Sequence, residues 1–145
     1  MKLTFTVLIF FLFCNSHAQI KGDNLIVINT GNTQEQNFLK FGQYITSKGL
    51  SIDKKDMEFF IIETLPKTIY GQLKYVLHAS FVDNVINVRI RHTYANNAAW
   101  LDFQQQIAWK SWEYHKSKSS TQYRVYQAVN DLLIGFHNNI IYTKE

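Results

Sequence analysis

Residues 71–92, GQLKYVLHASFVDNVINVRIRH, decide the fold. Leu73, Tyr75, Leu77, Ala79 and Phe81 recur at every second position, separated mostly by polar Gln72, Lys74, His78 and Ser80. That period of two places successive side chains on opposite faces of a strand. Asp83-Asn84 suits a tight hairpin turn. Val85–His92 then returns with Ile86, Val88 and Ile90 on one face and Asn87, Arg89 and Arg91 on the other. Two adjoining strands with one apolar and one polar face predict an antiparallel sheet that packs helices on one side and meets solvent on the other.

Upstream of this hairpin, Met57–Thr64 (MEFFIIET) reads as a strand buried on much of both faces. It ends before Pro66, whose missing N–H would spoil a central ladder. Leu50 and Ile52 alternate with Ser51 and Asp53 as another short strand, and Lys54-Lys55-Asp56 reads as the turn between the two. Thr33–Lys48 carries Phe38, Phe41 and Ile45 at helical spacing. Thr33 with Gln36 three residues on resembles a capping box, and Gly49 stands where a helix C-cap glycine belongs. Asn24–Thr30 (NLIVINT), closed by Gly31-Asn32, is the first strand.

Downstream, Thr121 to about Asn138 carries Val125, Ala128/Val129, Leu132/Leu133 and Phe136 as an apolar stripe, with N-cap candidates at Ser119-Ser120-Thr121. Between the hairpin and this helix, Thr93–Lys118 fits a helical face (Trp100, Phe103, Ile107, Tyr114) and an alternating strand (Leu101, Phe103, Ile107, Trp109) equally well. The expectation is an α+β domain, an antiparallel sheet of about five strands in β-α-β-β-β-β-α order. Two helices pack on one face of it through Phe38, Phe41, Ile45, Val129, Leu132 and Phe136.

The N-terminus sets the compartment. Lys2 precedes an almost unbroken apolar run, Leu3–Phe13 (LTFTVLIFFLF), shorter than the roughly 20 residues a bilayer span needs. Ser16 and Ala18 stand at positions −3 and −1 of a cut before Gln19. Residues 1–18 therefore read as a secretory signal peptide and 19–145 as one domain, periplasmic or secreted. Cys14 is the one cysteine, and it follows bulky Phe13 where a lipoprotein signal carries a small residue, which argues against lipid anchoring. Cleavage before Gln19 removes it, leaving neither disulfide nor thiolate chemistry. A domain of roughly 125 residues buries enough surface to hold without such staples.

Loss of Lys2 takes the formal charge from +4 to +3. The basic residues Lys54-Lys55, Arg89/Arg91 and Lys110/Lys116/Lys118 are scattered, which with export argues against nucleic acid as a partner.

The strand-helix-strand stretch resembles a known pattern. Asn24–Thr30 leads into a helix ending Ser47–Ile52 (SKGLSI), followed by Asp56 and Met57–Thr64. This is similar to the TATA-binding-protein-like layout of small exported Bacteroidota proteins of unknown function, and distantly to the repeated domains of an outer-membrane-assembly lipoprotein. The ending Ser16–Gln19 also resembles signal sites of that phylum. The resemblance implies a fold and a compartment, and it carries no site residues.

Chemistry-bearing motifs are sparse. His78, His92, His115 and His137 fall on four different segments with no H-x-x-x-H pair. Asp53, Asp56 and Glu58 lack calcium-loop spacing and enclose Lys54-Lys55. No nucleophile elbow or phosphate loop occurs. No catalytic residue, cofactor or metal is therefore expected. The one concentration of recognition-type side chains is Asn96–Lys118, with Trp100, Trp109 and Trp112 beside Phe103 and Tyr114.

That segment either closes one end of the core, presents a partner or glycan surface, or touches a membrane surface peripherally. Trp100, Trp112 and Tyr114 are the candidate partner-binding residues; Trp100 is expected exposed and Trp109 buried. The functional expectation is a non-catalytic envelope or secreted protein that binds another protein or a surface glycan. The alternative is a small hydrolase-like envelope enzyme whose polar residues meet only in the fold.

Overall fold

The computed structural model describes residues 19–94 and 109–145. The signal segment and Trp100 lie outside the described residues. The elements are β1 (Leu25–Asn29), α1 (Gln34–Ser47), β2 (Ile52–Asp56), β3 (Ile61–Thr64), β4 (Lys67–Ile69), β5 (Leu73–Val82), β6 (Val85–Tyr94), β7 (Lys110–Ser111), α2 (Thr121–Ile134) and β8 (Ile140–Thr143).

Among the described residues the strands form one antiparallel sheet in the order β2-β3-β5-β6-β1-β8, with β4 also on β5 and β7 also on β6. The α+β class follows as expected, but the sheet has eight strands where about five were expected. The additional ones, β4, β7 and β8, are two to four residues long. Such lengths are too short to show a period. β4 continues the edge of β5 that β3 occupies, and Pro66 falls in the gap between them, where no ladder donor is needed.

The β5–β6 hairpin forms as read, with full register from Leu73↔Tyr94 to Val82↔Val85 and Asn84 at φ +63° in the turn. Both ends of α1 also follow the sequence. Thr33 and Gln36 make the reciprocal capping box. At the other end, Leu50 N–H donates to Ile45 O and Gly49 N–H to Thr46 O, with Gly49 at φ +77°. This is the Schellman arrangement, and it brings buried Leu50 against buried Ile45.

Three boundaries move. Lys54-Lys55-Asp56 belongs to β2, and the turn is Met57–Phe60. Asp56 causes the shift, because its Oδ1 accepts the N–H groups of Glu58 and Phe59, and Phe60 takes φ +48°. Met57 and Phe59 are consequently exposed. Helix α2 stops at Ile134, short of the expected end near Asn138, and β8 begins at Ile140. Its buried stripe is Val125, Val129 and Leu133, so Leu132 is only half-buried, against expectation.

The core lies between the helices and the sheet face carrying Ile26, Ile28, Leu73, Tyr75, Leu77, Ala79, Phe81, Ile86, Val88 and Ile90. Phe38 and Phe41 of α1 meet Phe81 edge-on at 5.5 and 5.6 Å, and Phe41 meets Phe136 beyond α2 at 5.4 Å. Buried Asn37 ties α1 to its surroundings: Oδ1 accepts from Thr30 Oγ1, and Nδ2 donates to Val82 O in the hairpin. No helix among the described residues is long and apolar enough to cross a membrane.

Candidate functional site

The face of the sheet turned away from the helices carries the polar set of side chains that strand alternation produced. One row crosses five strands: Glu63 on β3, His78 on β5, Arg89 on β6, Leu25 on β1 and Thr143 on β8. Arg91, two residues beyond Arg89, stands on the same face opposite Ser111 of β7. β1 and β7 occupy one edge of β6 end to end. Trp112 N–H donates to Ile90 O, and Tyr114 N–H to Asp23 O. At their junction lies a shallow depression lined by Asn24, His78, Arg89, Ile90, Arg91, Ser111, Trp112 and Glu145.

The charges in this depression are paired. Arg89 grips the Glu145 carboxylate with two nitrogens, Nε to Oε2 at 3.0 Å and Nη2 to Oε1. The Glu145 N–H donates to Asn24 Oδ1 at 2.9 Å, which fixes the chain after β8 beside the arginine. Arg91 Nη2 is bonded to Glu63 Oε1, and His78 Nδ1 lies 3.7 Å from Glu63 Oε2. The Arg89 guanidinium holds the Glu145 carboxyl below its usual range, and the carboxylate in turn raises Arg89. Both effects are charge-assisted hydrogen bonding.

Among the described residues the side chains of this depression do not form a connected chain of nucleophile, base and acid. Ser111 shares the depression with His78, but no hydrogen bond joins them, and Glu63, which would orient His78, is engaged by Arg91. Triad chemistry needs nucleophile, base and orienting acid connected in sequence. His115 and His137 each accept a backbone N–H two residues on, from Ser117 and Asn139. His92 faces the core. No group of three metal-ligating side chains occurs among the described residues.

The aromatic candidates divide. Trp112 has no exposed surface. Its indole N–H donates to Gln122 O at 2.8 Å, and its ring stacks on Tyr126 at 6.3 Å and 11°. Its side chain closes the core. Tyr114 is half-buried in the same cluster, 5.1 Å from Tyr126. Trp109, expected buried, is half-exposed.

Sequence reading placed Arg89 and Arg91 on the wet face, yet missed Glu63 and Glu145 as their partners. Alternation gives the face of a single strand, and pairing needs the register between strands. No family model, curated protein or solved structure matches the chain.

Proposed function

We propose that this chain is an exported, non-catalytic binding domain that recognises another envelope protein or a cell-surface component through the open face of its sheet. The observation that carries this reading is the convergence of Glu63, His78, Arg89, Arg91 and Glu145 on one face, where Arg89–Glu145 and Arg91–Glu63 are ion pairs and His78 lies beside Glu63. Polar groups arranged this way give geometric specificity, since bidentate arginine contacts are directional. Export rests on the apolar run Leu3–Phe13 and the small residues Ser16 and Ala18.

The test uses the protein purified as exported, immobilised and exposed to envelope extract, with every captured component re-measured in pure form. Binding to wild type with loss on the Arg89→Glu/Arg91→Glu double change is the expected result. Equal capture by the double variant would remove the open face from the proposal. The same preparation should begin at or close to Gln19 by mass spectrometry, and an intact Met1 in the cytoplasm would overturn the assignment to the envelope.

A further inference from the structure

Two features of the open face have a use beyond holding the sheet together. Arg89 and Arg91 lie two residues apart on one strand with their side chains on the same face, so their backbones are separated by about 6.7 Å, twice the rise of a strand residue. Any extended chain laid along β6 repeats its side chains at the same interval. Acidic groups at alternate positions of such a chain therefore meet both arginines in register.

The second feature is that both arginines already hold carboxylates, delivered from opposite sides: Glu63 from β3 and Glu145 from beyond β8. The two acids are not equivalent. The Glu63 side chain is 26% exposed and also faces His78, whereas that of Glu145 is 55% exposed and faces Arg89 alone. Lys74 lies on the same face of β5, in register with Thr93.

We infer that the Arg89–Arg91 line is a docking track for an extended acidic segment of a protein partner, and that Glu145 is a resident competitor which such a segment displaces from Arg89. The inference deepens the binding function proposed above and rests on it. An exposed ion pair contributes little net stability because solvent screens it and ordering two side chains costs entropy. Glu145 is thus held firmly enough to shield Arg89 from isolated anions, yet loosely enough to yield to a ligand that engages both arginines at once. Tethering two contacts makes the second effectively intramolecular. Asn24 and Ser111, which share the depression, are placed to hydrogen-bond the incoming carboxylate or its backbone.

The experiment measures fluorescence anisotropy of a labelled eight-residue peptide alternating Glu with Thr, beside a counterpart with Gln for every Glu. The probes are titrated into wild type, Glu145→Ala, Glu145→Gln and Arg89→Ala, all checked for native circular dichroism. The acidic peptide should bind wild type, and both Glu145 variants should bind it about fivefold more tightly, the factor set by removing an exposed ion pair. Arg89→Ala should weaken binding, and added salt should weaken it in every case. The inference is overturned if the Gln peptide binds equally well, or if neither Glu145 variant gains affinity. In either case loss of envelope capture by the Arg89→Glu/Arg91→Glu variant would still support the broader binding function. Failure of both readouts would remove it as well.

Discussion

Trp112 illustrates how far a single side chain's role depends on neighbours that local sequence does not name. In a stretch rich in indoles it reads as a recognition residue, because large stiff aromatic surfaces with a polar handle serve interfaces. Its polar handle is used internally on Gln122 O, and its ring is enclosed by Tyr114 and Tyr126. Trp112→Ala should therefore destabilise by roughly 3–5 kcal/mol, as large aromatic truncations in cores do. Trp112→Phe should recover part of that while leaving Gln122 O without its donor. Urea melts of the two variants measure this, and an unchanged midpoint for Trp112→Ala would show the indole to be peripheral. The signal for burial was present only indirectly. Tyr126 on α2 is an aromatic partner, but its proximity to Trp112 follows from β7 joining the edge of β6, which a two-residue strand cannot announce.

Helices and long strands were legible because their signals are local. The capping box and glycine stop of α1, the period of β5 and β6, and the Asp83-Asn84 turn each depend on residues a few positions apart, and each formed where read. Boundaries set by side-chain capture of the backbone were not legible. Asp56 turned the chain at Met57–Phe60 where the β-prone run suggested strand. Helix α2 raises a related ambiguity of phase. Leu132 and Leu133 both fit an apolar stripe, and neighbouring positions on a helix differ by only about 100°. The structure selects Leu133, in line with Val125 and Val129, while Leu132 sits at the margin, its carbonyl accepting from the Tyr44 hydroxyl at 2.6 Å. Leu133→Ala should cost roughly 2–5 kcal/mol, and Leu132→Ala clearly less. A urea series in which Leu132→Ala was the more damaging would mean that α2 is rotated by one position.

Across the folded chain, the groups whose ionisation is altered by folding set its response to pH. His92 is buried on the core face of β6, between Tyr75 of β5 and Lys110 of β7, and its Nδ1 has no partner among the described residues. Burial first, and the Lys110 charge second, lower its pKa from the usual 6.5. A base whose folded pKa is depressed binds fewer protons folded than unfolded once the pH drops below the unfolded value. Stability is therefore full above about pH 6.5 and declines below it until the folded value is reached. Asp56 and Glu145, both lowered by hydrogen bonds, add a further decline that begins near the ordinary carboxylate range. At the other extreme, burial raises Tyr75, Tyr126 and Tyr142, so the unfolded chain loses protons first and stability falls as the pH climbs past about 10. The urea midpoint should thus be level from about pH 7 to 9.5 and fall on either side. The shoulder just below pH 6.5 should have a slope of at most one proton, about 1.4 kcal/mol per pH unit. His92→Phe isolates the cause, since it alters the absolute stability through packing but should abolish the slope between pH 6.5 and the carboxylate range. A shoulder that persists unchanged in that variant would show that the buried imidazole is not its cause.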